Sequence, residues 1–160
     1  VFIKKQKASY PIEPAVQELL TEEHKKGVSD FELYEQFGQK VSTVKKELQT
    51  LLHTLKKDGA TIAGYGVPAK ATTLLTFCDM GKETIDYIVD DNPLKQGRYT
   101  PVGRIPIVSS QMLNQKKPNY IMILAWNFAD EIMRKLESYK QQGVKFIIPF
   151  PKPHVVKESF

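Results

Sequence analysis

Between Ile62 and Lys70 the chain reads IAGYGVPAK: apolar residues run into Gly64 and Gly66, Pro68 follows, and Lys70 stands where a following helix makes its first turn. A strand that ends in such a turn and then opens a helix can hold an anion. The first N–H groups of a helix have no carbonyl behind them, and the helix dipole is positive at that end. Gly64 to Ala69 satisfies G-x-G-x-x-[G/A] with Ala69 as the third small residue. Pro68 suits the first helical position, where its missing N–H would be unpaired anyway. Lys70 adds a full positive charge if its side chain leans back toward the turn. The chemistry in prospect is phosphate or nucleotide binding. The same glycines also serve where a strand and a helix simply approach closely.

Two later stretches could complete such a site. DDNPLKQGRYTPVGRIPI is a long loop carrying Lys95, Arg98 and Arg104, and Arg98 offers a diphosphate the bidentate geometry that Lys95 lacks. Its acidic pair, Asp90 and Asp91, could hold the ribose of a dinucleotide or cap the turn that follows. In ILAWNFADE, Trp126 stands at a strand's carboxyl end, where an indole can stack on a base or sugar ring or be buried in the core. Asn127 with Asp130 fits a helix cap and a first-turn acid.

Other chemistries lack their residues. His24, His53 and His154 lie in separate segments with no metal-ligand spacing, so no metal ligands and no catalytic residues are proposed. Ser109 and Ser110 precede a helix as a cap, no G-x-S-x-G elbow occurs, and Cys78 lies on an apolar helix face as core.

The elements that must position these residues change character near Gly59. PAVQELLTEEHKKG puts Val16, Leu19 and Leu20 on one helical face, with lysines in the last turn and Gly27 as a stop. Ser29 with Glu32 makes a capping box for a second helix. Along it Tyr34, Phe37, Val41, Val44, Leu48, Leu51 and Leu55 recur at three- and four-residue steps until Lys56, Lys57 and Gly59 close it. The stripe predicts packing against the chain's own sheet; a coiled-coil seam, interrupted by Gly38, is the alternative. Strands are expected at ATIAGY, IDYIVD, IPIVS, YIMILAW and VKFIIPF, and helices near Pro68 to Met80, Ser109 to Gln115 and Phe128 to Gln141. This alternation predicts an α/β fold, a Rossmann-like doubly wound, mostly parallel sheet of about five strands preceded by two N-terminal helices. The expected division is a linker or connecting segment over 1–13 and a domain over 14–160, with a helical lead-in at 14–58 and an α/β core at 59–150.

Composition sets the outer limits. A chain of 160 residues with 41% hydrophobic content fits one domain with a real core. The net charge of +5 favours an anionic ligand, but lysines alternate with glutamates, and there is no Arg-rich arm, aromatic–basic motif or paired Cys/His finger. Nucleic acid is therefore not expected as a partner. No apolar run reaches the roughly 20 residues of a membrane-spanning helix, so no membrane partner is expected either. One cysteine excludes an internal disulfide and points to a reducing, cytoplasmic setting. The first residue is Val1, which suggests a piece of a longer protein.

Taken together, IAGYGVPAKATTLLTFC, IDYIVDDNPLKQGRYTPVGRIPI, YIMILAWNFADEI and GVKFIIPFPKPHV closely resemble the C-terminal domain of S-adenosylmethionine-dependent sugar C-methyltransferases. The resemblance covers nearly the whole chain. It implies a Rossmann-like domain that helps hold a nucleotide-linked deoxysugar, while zinc and S-adenosylmethionine belong to an N-terminal and a middle domain absent here; this chain itself would bind no cofactor. By resemblance, Gly64, Tyr65, Gly66, Pro68, Ala69 and Lys70 occupy the glycine-turn motif, Lys95, Gln96, Gly97 and Arg98 the loop motif, and Trp126 and Asn127 the strand-end positions. Ala71 and Thr72 depart from the glycine and asparagine common after the lysine, and Asp91 replaces an arginine common before Asn-Pro. The catalytic segment also lies outside this chain, so the chain alone is expected to be inactive. Two rival readings remain at this level: an NAD(P)-binding domain of an oxidoreductase, and an interaction module docking through the seam from Tyr34 to Leu55.

Overall fold

Short runs rich in Ile, Val and aromatics favour buried strands, and the sheet is built from them. In the computed structural model, residue 3 and residues 5–157 are described. The chain divides into two units, one up to Val41 and one from Ser42 onward. In order, the elements are α1 (Pro14–Lys25), α2 (Phe31–Lys57), β1 (Ile62–Tyr65), α3 (Ala69–Phe77), β2 (Tyr87–Val89), β3 (Ile107–Val108), α4 (Gln111–Gln115), β4 (Tyr120–Ile123), a 3-10 turn (Trp126–Phe128), α5 (Ala129–Lys135), α6 (Glu137–Gln141), β5 (Lys145–Ile148) and β6 (His154–Val155). No helix among the described residues is long and apolar enough to cross a membrane.

The first unit holds α1 and the opening of α2. No residue of α1 is buried, and Tyr34 and Phe37 at the head of α2 are 55% and 62% exposed, so the early part of the expected stripe has no core to join within this unit. The start of α2 also differs from the expectation. Because α2 starts at Phe31, Asp30 rather than Ser29 stands before it, and the Glu32 carboxylate accepts from the Gln36 side chain.

The second unit is the α/β core. Its six-stranded sheet runs β3-β2-β1-β4-β5-β6, parallel throughout except for β6, an antiparallel strand beyond the five read from the sequence. Alternate side chains divide between two cores, as the period of a strand requires. Ile62, Ile88, Met122 and Ile147 pack with Leu48, Leu52 and Leu75 from α2 and α3. Ala63, Ile121 and Phe146 pack with Leu113, Ile132 and Leu136 on the other face. The later half of the stripe therefore packs on the chain's own sheet, with Leu52, absent from the predicted stripe, as fully buried as Leu48. Cys78 is core, as expected, at 1% exposure. Tyr87 donates from its hydroxyl to the Lys116 carbonyl, and burial pushes its phenol up to about 12.

Boundaries shift where caps compete. Pro68 is extended and precedes α3 rather than opening it. The helix expected over Phe128 to Gln141 is three pieces: the 3-10 turn, then α5 and α6, which part at Leu136. Asn127 falls inside the 3-10 turn, so it does not cap α5; Asp130 does lie in that helix's first turn. Ser110 precedes α4 without a capping hydrogen bond from its side chain.

Candidate functional site

After Tyr65 the chain must leave the sheet and enter α3. Gly66 makes the bend at a φ of +83°, where a side chain is strained, and its amide donates to the Val89 carbonyl at 2.7 Å. Gly64 serves a different need: a Cβ there would stand 2.9 Å from Ile88 Cγ1 and 3.0 Å from Leu124 Cδ1. One glycine admits the neighbouring strands and the other turns the corner. Both lie beside the point where strand order reverses between β1 and β4, the crevice in which open α/β sheets bind ligands.

The turn after β4 meets this corner. A Cβ on Gly66 would lie 3.1 Å from that of Ala125. Lys70, in the first turn of α3, holds its Nζ 4.6 Å from the Trp126 ring centroid, and Trp126 in turn meets Phe150, beyond β5, at 5.8 Å and a 47° tilt. Among the described residues Lys70 makes no ion pair.

The loop after β2 closes the other side. Asp90 is buried; its Oδ2 accepts from the Val67 amide at 2.7 Å and from Lys95 Nζ at 3.1 Å, and Lys95 also donates to the Val67 carbonyl at 2.9 Å. Its Oδ1 takes the Asn92 amide at 2.9 Å, and its carbonyl takes the Gln96 side chain at 2.9 Å. An internal carboxylate thus occupies one amide of the glycine turn and uses the charge of Lys95. Asp91 is equally engaged, accepting from the Tyr65 hydroxyl at 2.9 Å and from Lys135 Nζ at 2.7 Å, with that ammonium 5.7 Å from the Tyr65 ring centroid. The Lys135 hydrogen bond holds the Asp91 carboxyl below its ordinary range and raises Lys135 in return, while burial raises the Tyr65 phenol.

The structure therefore gathers the glycine turn, Lys70, Lys95 and Trp126. Arg98 stands apart. Its carbonyl accepts from the Ile107 amide at 2.8 Å, which lays it beside β3 at the sheet edge with β2 between it and β1, its side chain exposed. Asn127 is exposed in the 3-10 turn. Two contributors escaped the sequence reading. Phe150 carries the signal that picked out Trp126, an aromatic just past a strand; Lys135 carries none, since its bond to Asp91 spans 44 residues.

Concavity alone points elsewhere. Cavities of 330 Å³ and 680 Å³ lie away from the crevice, the first around Gly59, Asn119 and Lys145, the second around His53, Asp79 and Glu83. The first sits at the amino ends of β1, β4 and β5, opposite the end at which such sheets take ligands.

Comparison with known proteins supplies the family. The model of the C-methyltransferase C-terminal domain matches residues 1–151. C-methyltransferase NovU of Streptomyces niveus is 36% identical over 156 residues, which are 98% of this chain and 37% of that protein. The chain thus spans little more than a third of that relative's length. The crystal structure of UDP-D-quinovosamine 4-dehydrogenase from Vibrio fischeri aligns with a TM-score of 0.42 at 16% identity, over 58% of this chain and 79% of its own. This chain belongs to the C-methyltransferase C-terminal domain family.

Proposed function

We propose that the domain holds a nucleotide-linked deoxysugar at the carboxyl ends of β1 and β4, so that a methyl group is transferred to a sugar carbon by domains outside this chain. The observation that carries the reading is Lys70, a cation at the head of a helix, at the switch point, facing an indole instead of a carboxylate. A diphosphate there meets an ammonium that no carboxylate holds and the positive end of α3. Asp90 and Lys95 keep the turn rigid, and Arg98 at the sheet edge reaches the more distant part of the ligand. The contribution is positioning, and the methyl donor S-adenosylmethionine and the zinc belong to the rest of the protein. Because Asp90 and Asp91 are both engaged by internal donors, neither is free for the ribose of a dinucleotide, which counts against the NAD(P) alternative.

The test is an amide NMR titration of the chain with dTDP and then a dTDP-deoxysugar, with NAD(H) as the control. Shifts at Gly64 to Lys70 are expected with the nucleotides, and Lys70→Ala weakens binding about tenfold, the worth of one charge-assisted contact. Tighter binding of NAD(H), or no shift with any nucleotide, overturns the reading.

A further inference from the structure

We propose that Trp126 and Phe150 form the seat of the nucleotide's base, and that Lys70 covers this seat in the free domain and leaves it for the diphosphate. The inference rests on reading the crevice as a nucleotide-sugar site, and adds to it the place of the base and the coupling of its two halves.

The two rings come from the ends of adjacent strands, β4 and β5, and their 47° tilt makes an open aromatic corner rather than a closed stack. Trp126 is half-buried and Phe150 is 39% exposed, while Ile121 to Leu124, which lead toward Trp126 from β4, are fully buried. Base stacking on aromatic side chains needs such a reachable ring face. In the free domain that face is occupied. An ammonium 4.6 Å from the ring centroid lies within cation–π range, and a flat base must come to about 3.5–4 Å to stack. Both cannot share one face. A diphosphate draws the ammonium more strongly than an indole does, because a charge-assisted bond far exceeds a partly solvated cation–π contact. The flexible lysine stem allows the exchange without moving α3. Binding the diphosphate therefore uncovers the indole, and phosphate and base reinforce each other. With the base held in this corner and the diphosphate at Lys70, the sugar is left outermost, where a donor from another domain can reach it.

Trp126 is the chain's only tryptophan, so acrylamide quenching of its fluorescence reports the cover directly. Inorganic pyrophosphate is expected to raise the quenching constant of the 160-residue chain toward that of Lys70→Ala, which is high from the start and unmoved by pyrophosphate. Thymidine, which carries no phosphate, is expected to bind Lys70→Ala roughly two- to fivefold more tightly than the parent chain, the factor set by an exposed cation–π contact. Phe150→Ala weakens thymidine binding in both backgrounds. Equal quenching in the parent and Lys70→Ala, or no pyrophosphate effect while the amide titration shows dTDP bound at Gly64 to Lys70, overturns the covered seat and leaves the nucleotide-sugar reading intact. If dTDP shifts no amide and pyrophosphate changes no quenching, both fall.

Discussion

At the amino end of the sheet, Asp86 takes the Ile62 amide at 2.8 Å and the Lys56 ammonium at 3.0 Å, and Asn119 takes the Thr61 amide and hydroxyl at 2.8 and 2.9 Å. At the carboxyl end, Asp90 is bound as tightly, but a few residues away the ammonium of Lys70 rests on an indole and Arg98 extends into solvent. Both ends use side chains to fasten one strand to the next. What the carboxyl end adds is a cation at the head of a helix, beside an aromatic ring at the switch point. The cavity beside Asn119 also holds a lysine, Lys145, but it lies at the amino ends of the strands with Asp58 in the same lining, whereas Lys70 stands at the head of a helix against an indole.

The largest effect should come from filling the close approach at Gly64. Gly64→Val drives a branched side chain into Ile88 and Leu124, which already crowd a single Cβ, and should cost about 3 kcal/mol by overpacking. Urea unfolding measures it as a fall in midpoint. A loss under about 0.5 kcal/mol, the size of an ordinary surface change, would mean that the strands yield at this point and that Gly64 is not a packing residue.

Replacing the two fastening carboxylates sharpens the contrast. Asp86→Ala takes the acceptor from the Ile62 amide and Lys56, Asp90→Ala takes it from the Val67 and Asn92 amides and leaves Lys95 only the Val67 carbonyl, and each should lose about 1–3 kcal/mol of stability. They should separate in the NMR titration: Asp86→Ala leaves dTDP binding unchanged, whereas Asp90→Ala frees Val67 and Lys95 beside the site and alters it. Equal effects on binding would erase the distinction between the two ends.

The sequence made the sheet legible because buried parallel strands leave continuous apolar runs, and the glycine turn legible because Gly66 needs a φ that other residues resist. It misplaced what depends on tertiary partners. Tyr34 and Phe37 share the helical period of Leu48, but no core within their own unit lies under them. β6 is two residues long, too short for periodicity to register, and is defined by its pairing with Ile147 and Ile148. The site divides in the same way. Gly64, Gly66, Lys70 and Trp126 could be read from local pattern. That Asp90 rather than a ligand takes the Val67 amide could not, because it depends on where the loop after β2 folds back.

The smallest expected effect concerns Asp91 and Lys135, a pair at the carboxyl end that behaves like those at the amino end. The Asp91 carboxyl is held below its ordinary value by the Lys135 hydrogen bond, so the folded chain binds this proton less readily than the unfolded chain. The resulting stability is present above about pH 4 and is lost as pH falls through the lowered folded value. Lys135 is shifted upward by the same bond, so its share is complete below about pH 10 and is lost as pH rises through the raised folded value. The difference in urea midpoint between the parent chain and Asp91→Asn should therefore be flat across neutral pH and shrink on both sides. With both side chains about half exposed, at 54% and 53%, screening keeps the plateau under about 1 kcal/mol and salt lowers it further. The carboxamide introduced by Asp91→Asn can still accept from the Tyr65 hydroxyl, so what is lost is the charge alone. A difference that persists undiminished in acid would mean that the Asp91 charge is not its source, and would leave Lys135, like Lys70, with charge available to a ligand.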